Sequence, residues 1–177
     1  MHAIPSGDTG LLADLQGASS QFLRFALGDG IFAVPIDAVR EILELGPSTP
    51  LPLMPAFVRG VMNLRGAVVP VIDLAARLAL PPAVPGRRSC IIVVEVPPSE
   101  LSDHGAQVIG LMVDAVHEVL DADAQQLEEP PALGNRIDPR FMAGIARHRG
   151  DMVPVLALSR TLALEELADL IGQPLAA

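Results

Sequence analysis

The residue types that most often bind metals or act as nucleophiles are few and scattered in this chain. The single cysteine is Cys90, and the four histidines are His2, His104, His117 and His148. They lack the spacing of a zinc site or an HExxH motif, and the sequence contains no GxSxG, GxGxxG or GxxxxGK[ST]. We therefore expect no catalytic residue, no metal and no cofactor.

A pair of opposite charges recurs in the two halves of the chain and is the best candidate for a functional surface. Glu41 precedes the Arg65-Gly66 dipeptide as Glu118 precedes Arg149-Gly150, so either pair could form an ion pair. One interpretation is an exposed salt bridge that contributes little to stability. The other is a docking site, because arginine and apolar anchors dominate the energetics of protein interfaces.

These charges lie in segments that are repeated. Residues 57–80 align without a gap with residues 141–164, at an offset of 141 − 57 = 84, and 11 of 24 positions are identical. A shorter match relates residues 31–43 to residues 108–120, at an offset of 108 − 31 = 77. The order of the four segments is typical of a duplicated module of about eighty residues, and it predicts two similar lobes.

Short apolar runs separated by turn residues predict a mainly β protein. Segment 39–45 fits either a strand or one or two helical turns, whereas Arg65-Gly66 indicates a hairpin turn. The many short strands and few helices favour a pair of small β-barrels. Strands are predicted at 22–27, 31–36, 61–64, 67–74, 90–96 and 108–113, and the pair 61–74 is repeated within 141–158.

Three further features concern the prolines and the two ends of the chain. Pro70 and Pro154 cannot donate a hydrogen bond to a neighbouring strand, so their strands are expected at sheet edges or with a bulge there. Residues 1–20 are expected to form a flexible tail. Ser159 is expected to cap a C-terminal helix over residues 159–172.

Composition limits the classes of partner. The chain has 177 residues, half of them apolar, with 12 basic and 21 acidic residues and a net charge of −9. It has no Trp or Tyr and no cluster of basic residues, so nucleic acid is not an expected partner. Without a basic leader or an apolar run of roughly 20 residues, we expect a cytoplasmic protein with no membrane insertion. A monomer is expected, since the duplication supplies two similar lobes within one chain.

The repeated motifs resemble those of a known family. The run FVRGVMNLRGAVVPVIDL at residues 57–74, with PIDAVREIL upstream and GLMVDAVHEVL downstream, is similar to the CheW family of chemotaxis coupling proteins. It also resembles the homologous regulatory domain of the histidine kinase CheA. The resemblance covers about residues 20–168 and implies one CheW-like domain, 21–168, made of two SH3-like five-stranded β-barrel lobes. We expect these lobes at about 31–80 and 89–164, with strand 22–27 a candidate for sharing between them.

The resemblance also implies a function. Members of the family are non-enzymatic adaptors that join the cytoplasmic tips of chemoreceptors, the methyl-accepting chemotaxis proteins, to the regulatory domain of a CheA-type histidine kinase. The protein would then be recruited to membrane-associated receptor arrays. Carried over by position, the receptor-binding residues are Ile36, Val39, Glu41, Gly60 and Arg65. The kinase-binding residues cannot be assigned from the sequence.

Two departures and two alternatives accompany this interpretation. The loop 97–107 is longer than is usual in the family, and the second lobe has Arg147-His148-Arg149-Gly150 in place of Asn-Leu-Arg-Gly, so no receptor role is carried over to Arg149. The pathway served could control pili, surface behaviour or second messengers instead of flagella. A rival of another class is a small-molecule-binding or enzymatic β-barrel, with Asp73, Glu41 and His117 as the polar groups of a cleft between lobes.

Overall fold

A computed structural model describes residues 21–81, 83–96, 106–122, 127–131, 134 and 136–162. Within these ranges the chain is mainly β, as predicted, and residues 39–44 form a strand. The strands are β1 Gln21–Leu27, β2 Gly30–Pro35, β3 Val39–Glu44, β4 Val58–Leu64, β5 Ala67–Asp73, β6 Cys90–Val96, β7 Gln107–Val113, β8 Ala115–Asp121, β9 Met142–His148 and β10 Asp151–Leu156. Short helices are α1 Leu74–Arg77 and α2 Leu158–Thr161, with 3₁₀ turns at Ile36–Ala38 and Pro139–Phe141.

The strands form two five-stranded sheets, which confirms the predicted architecture. We call the sheet with strand order β8-β1-β2-β10-β9 lobe 1 and the sheet with order β3-β6-β7-β5-β4 lobe 2. In each lobe most neighbours are antiparallel, and one parallel pairing joins β10 to β2 or β5 to β7. The two lobes therefore have the same arrangement of strands.

The repeat and the lobe are not the same unit, which corrects the expected lobe limits of about 31–80 and 89–164. Lobe 2 is continuous from β3 to β7, whereas lobe 1 combines β1 and β2 with β8 to β10. The chain crosses between lobes at the 3₁₀ turn Ile36–Ala38 and again at Asp114. Each repeat thus lends a hairpin to the three strands of the other repeat, and β1 belongs to lobe 1 alone.

Each sheet closes into a barrel through the segment that follows its first edge strand. In lobe 2 the backbone of Thr49 exchanges two hydrogen bonds with Val61 of β4, with N···O distances of 2.8 and 2.9 Å. In lobe 1 Glu128 and Ile145 of β9 exchange the equivalent pair, at 2.9 and 2.8 Å. These bonds join the two edges of each sheet and satisfy backbone groups that an open edge would leave unpaired.

The largest core lies between the lobes, so the lobes share it. Alternate residues of β6 divide between two cores: Ile92, Val94 and Val96 face the shared core, while Ile91 and Val93 fill the interior of lobe 2. The interior of lobe 1 is a third, small cluster around Phe22 and Val155. Since neither barrel interior is large, burial of the shared core must supply much of the hydrophobic stabilisation, and the two lobes should unfold together.

Two local predictions need correction. Pro70 and Pro154 lie in β5 and β10, which are inner strands, and the register shifts in these hairpins lie between other residues. The missing N–H is tolerated because pairing with β7 starts only at Val71, and pairing with β2 involves only Val155. Helix α2 begins at Leu158 with Ala157 as its N-cap, so Ser159 is not the cap.

Several predicted elements fall outside the described residues. They are the tail 1–20, most of the loop 97–107, and the part of the predicted C-terminal helix that follows Leu162. Among the residues that are described, no helix combines the length and apolar character needed to cross a membrane.

Candidate partner-docking site

The β4–β5 hairpin presents an arginine at its tip. Arg65 and Gly66 both have positive φ, +52° and +87°, and they form a two-residue turn between the paired residues Leu64 and Ala67. Positive φ at both central positions is the signature of a type I′ turn, whose twist matches that of the strands. The Asn63 side-chain oxygen accepts the Gly66 N–H at 2.9 Å and holds the turn closed. The predicted hairpin turn is confirmed.

Arg65 forms a two-bond ion pair with Glu41 of β3. The Nη1 and Nη2 atoms donate to Oε2 and Oε1 of Glu41 at 2.6 and 3.2 Å. Since β3 and β4 are the two edge strands of lobe 2, this pair spans the same closure as the Thr49–Val61 bonds. The Arg65 side chain remains 74% exposed and Glu41 only 23%, so the carboxylate is the fixed partner and the guanidinium faces solvent.

This pairing favours the charged form of Arg65. The hydrogen bond to Glu41, followed by the attraction between the two charges, raises the pKa of Arg65 above its usual value. A raised folded-state pKa contributes stability that is fully present below the unfolded-state pKa and is lost only as the pH rises through the folded-state value. For arginine that window lies in strong alkali, so Arg65 is a permanent cation wherever the protein is folded.

The other predicted receptor-binding residues lie on the crossing into β3 and on β4, and they differ in exposure. Ile36 and Val39 are half-buried and pack against the shared core at the start of β3. Gly60 is buried, has φ of +149°, and its missing Cβ would lie 2.2 Å from the carbonyl oxygen of Thr49. Gly60 therefore lets the closing segment cross β4 at close range. Of the predicted residues, Glu41 and Arg65 contact each other, and Gly60 has a structural role in the packing of the closing segment.

The second predicted ion pair, Glu118 with Arg149, does not form. Glu118 accepts a hydrogen bond from Nη1 of Arg24 at 2.9 Å instead. The strand registers explain the difference, because Arg24 of β1 occupies the place in lobe 1 that Val93 of β6 occupies in lobe 2. Glu41 has no cation across the ladder and is free to bind Arg65. In the sequence, the only indication of the Arg24–Glu118 pair was that Arg24 is the one charged residue within the apolar run FLRFAL.

The polar groups proposed for the rival small-molecule site are dispersed. Asp73 is buried and accepts hydrogen bonds from the N–H groups of Ala76 and Ala83, both at 3.2 Å, so it caps α1. Glu41 is engaged by Arg65, and His117 is exposed on β8. Within the ranges that the structure describes, no group of three or more His, Cys, Asp or Glu side chains could hold a metal ion.

Sequence reasoning missed four exposed apolar residues at equivalent positions of the two lobes. Ile42 on β3 corresponds to Val119 on β8, and Val68 on β5 corresponds to Met152 on β10, by the offsets of 77 and 84. Their exposed fractions are 44%, 42%, 59% and 51%. Because they are exposed at the same places in both lobes, these side chains are candidate contact residues. The repeat could have revealed the correspondence, but exposure depends on the strand pairing.

Two barrels that exchange hairpins and present an ion-paired arginine on one turn define a double-barrel module with a candidate protein-docking site. The chain belongs to the CheW family, since the family model described as the CheW-like domain matches residues 21–166. It is 36% identical over 152 residues to the chemotaxis protein CheW of Rhizobium meliloti strain 1021, covering 86% of this chain and 93% of that protein. It is 40% identical over 131 residues to a probable chemotaxis protein CheW of Rhizobium etli, covering 74% and 79%.

A solved structure has the same fold. The crystal structure of the scaffolding protein TtCheW from Thermoanaerobacter tengcongensis superposes with a TM-score of 0.68 at 34% sequence identity. The match covers 78% of this chain and 84% of that one. The likeness therefore extends over both lobes and agrees with the two five-stranded barrels described above.

Proposed function

We propose that this protein is a non-enzymatic chemotaxis adaptor that couples the cytoplasmic tips of chemoreceptors to the regulatory domain of a CheA-type histidine kinase. Membership of the CheW family and the likeness to a scaffolding protein support the adaptor role. The single observation that carries the receptor part is Arg65, which lies on a closed turn and is oriented by Glu41 while it faces solvent.

The proposed receptor site consists of Ile36, Val39, Glu41, Gly60 and Arg65. Arginine side chains lose much conformational freedom on binding, and the ion pair with Glu41 removes part of that loss before the partner arrives. Half-buried Ile36 and Val39 offer apolar surface near the start of β3. Gly60 acts indirectly, by letting the closing segment cross β4.

The kinase is proposed to contact the exposed apolar residues at the equivalent strands, Ile42 and Val68 in lobe 2 or Val119 and Met152 in lobe 1. The regulatory domain of CheA resembles this chain, so a surface that recurs in both lobes suits a partner of similar shape. Anchors of this kind contribute most when a partner removes them from water.

Coupling of receptor to kinase requires that both bind parts of this protein that are mechanically connected. The shared core packs residues of both lobes together, so a contact on lobe 2 is rigidly connected to lobe 1. A receptor state can change kinase activity only if it contacts this protein differently in its two states. We propose that the adaptor works in the cytoplasm at receptor arrays. Flagellar chemotaxis is the proposed pathway, and control of pili, surface behaviour or second messengers is the alternative.

The test is co-sedimentation of the purified protein with membranes that carry chemoreceptors, with and without the cognate kinase, together with kinase autophosphorylation. We expect the protein to bring the kinase down with the membranes and to raise its rate. Failure to bind either partner would reject the adaptor role while leaving the fold assignment intact.

A matched pair of variants separates the receptor site from the fold. Arg65→Asn and Arg149→Asn change the same position of two equivalent turns, each with φ of +52°, and asparagine tolerates that conformation. We expect Arg65→Asn to weaken receptor binding by about tenfold or more and Arg149→Asn to leave it unchanged. Equal effects of the two variants would remove Arg65 from the site.

A further inference from the structure

A cleft of about 540 Å³ lies at the junction of the two lobes, away from the Arg65 turn. One side is the β1–β2 turn of lobe 1, residues 27–29, and another is formed by residues 80, 81, 83, 84 and 86–89 of lobe 2. Asp114, where the chain crosses between lobes, and Arg136 complete the lining. The volume lies within the range of roughly 300 to 1,000 Å³ that small-molecule sites occupy.

Three arginines line this cleft, and none of them forms an ion pair with a carboxylate in the described part of the chain. Arg87, Arg88 and Arg136 are exposed and form no ion pair with any residue that the structure describes. Elsewhere in those ranges five arginines each hold a carboxylate, namely Arg24, Arg40, Arg65, Arg140 and Arg147, whereas Arg59, Arg149 and Arg160 form no ion pair with a described residue. In a chain of net charge −9, three such cations around one cavity form a grouping of positive charge that the acidic composition does not predict. Their mutual repulsion would be relieved by a bound anion.

The rest of the lining limits the kind of anion. Leu27, Leu80 and Val84 supply apolar wall, which suits a ligand with a carbon skeleton. Two acidic residues also line the cleft, so the three arginines leave an excess of 3 − 2 = 1 positive charge. The carboxylate of Asp114 accepts the Gly28 N–H at 2.5 Å and is engaged. Asp29 can accept hydrogen bonds from hydroxyl groups of a ligand.

We propose that this cleft binds a small organic oxyanion, a phosphate ester or a polycarboxylate with hydroxyl groups, through Arg87, Arg88 and Arg136. Guanidinium groups bind phosphate and carboxylate oxygens with two parallel hydrogen bonds, so a set of three recognises closely spaced anionic oxygens. Because both lobes and a crossover line the cleft, an occupant would tie them together. This binding would give a scaffold a second input, independent of the receptor site.

The experiment is isothermal titration calorimetry and thermal unfolding of the full chain at constant ionic strength, with pyrophosphate and citrate as probes and sodium chloride as the ionic control. We expect saturable heat and a rise in melting temperature of about 5 °C or more at a probe concentration of one hundred times Kd. A response to pyrophosphate alone assigns a phosphate ligand, and a response to citrate alone assigns a polycarboxylate.

Charge-matched variants test the location. Arg87→Gln/Arg88→Gln and Arg149→Asn/Arg160→Gln each remove two exposed arginines, but only the first pair lines the cleft. We expect Kd for the probe to rise at least tenfold in the first variant and in Arg136→Gln, and to stay within twofold in the second. Without probe, the melting temperatures should equal that of the wild type, because the side chains are exposed.

Three results would overturn the proposal. The first is that neither probe gives saturable binding. The second is equal weakening in the cleft and control variants, which would indicate a general effect of charge. The third is binding of a poly-glutamate peptide without binding of pyrophosphate or citrate, which would make the cleft a docking site for an acidic protein segment.

Discussion

Arg77 and Thr161 occupy equivalent positions of the two repeats, at the offset of 161 − 77 = 84, and they contact each other across the junction of the lobes. The Nε–H of Arg77 donates a hydrogen bond to the backbone carbonyl of Thr161. The same guanidinium lies over the rings of Phe57 and Phe141, another equivalent pair, with its central carbon 5.1 and 5.0 Å from the ring centroids. Arg77 has no arginine counterpart in the second repeat, and it contacts residues of both copies.

Replacing Arg77 should destabilise both lobes at once. Arg77→Met preserves the aliphatic stem of the side chain but removes the hydrogen bond and the two cation–π contacts. We expect a loss of about 2 to 3 kcal/mol in the free energy of unfolding. Urea denaturation should show a lower midpoint, an unchanged m value and a single transition. Arg160→Met, at an exposed position one residue before Thr161, is the control and should change stability by less than about 0.5 kcal/mol. Equal losses of stability in the two variants would mean that the contacts of Arg77 do not hold the two lobes together.

The two equivalent glycines of the hairpin strands should differ in their tolerance of a methyl group. Gly60→Ala places Cβ 2.2 Å from the Thr49 carbonyl oxygen at φ of +149°, and we expect a loss of about 3 to 5 kcal/mol. At Gly144 the closest atom is the Cβ of Leu127 at 2.8 Å, with no strained φ, and the loss should be about 1 to 2 kcal/mol.

Gly46→Ala is the control for both, because nothing lies within 4 Å of its added Cβ. Thermal unfolding of the three variants should give Gly60→Ala the lowest melting temperature and Gly46→Ala a value at or slightly above that of the wild type. The reverse order would mean that the closing segment does not cross β4 as described.

Asp73 should contribute more than a simple helix cap. Its two carboxylate oxygens accept from Ala76 at the start of α1 and from Ala83 in the segment that lines the inter-lobe cleft. Asp73→Ala leaves both N–H groups without this partner, and we expect a loss of about 2 to 3 kcal/mol. Asp73→Asn retains one acceptor and should lose about half as much in urea denaturation. Little or no loss in Asp73→Asn would mean that only one of the two bonds contributes, because the amide can present its single oxygen to either N–H group.

Local structure was predictable from the sequence because it depends on neighbouring residues. The Arg65-Gly66 turn follows from its glycine and the flanking apolar runs, and the strand at 90–96 has the predicted limits. The Arg65–Glu41 pair was also predicted, because the repeat singled out both residues. In contrast, the helix start at Leu158 was missed by one residue, since the cap there is Ala157 and has no side-chain bond.

Pairing between distant strands was not predictable, and the errors follow from that. The repeat shows that two segments are alike but not which segment each one contacts, so the exchange of hairpins at Ile36–Ala38 and Asp114 left no local signal. The false pairing of Glu118 with Arg149 has the same origin. Arg24 is distant from Glu118 in sequence and reaches it only because β1 lies beside β8.

Exchanging the charges of the Arg65–Glu41 pair should separate its structural contribution from partner recognition. The single variant Arg65→Glu places two carboxylates where the ion pair was, so it should lower the melting temperature, more so at low ionic strength. Glu41→Arg places two cations there and should do the same. The double variant Glu41→Arg/Arg65→Glu restores an attraction across the closure and should recover most of the lost stability.

Receptor binding should follow a different pattern in the same three proteins. If a receptor contacts the guanidinium at position 65, binding in the co-sedimentation assay stays at least about tenfold weaker in Arg65→Glu and in the double variant, although the latter has recovered most of the lost stability. Recovery of binding together with stability in the double variant would show that the pair only closes the barrel. The receptor would then recognise the shape of the closed turn, and Arg65 would contribute to binding only by keeping the barrel closed.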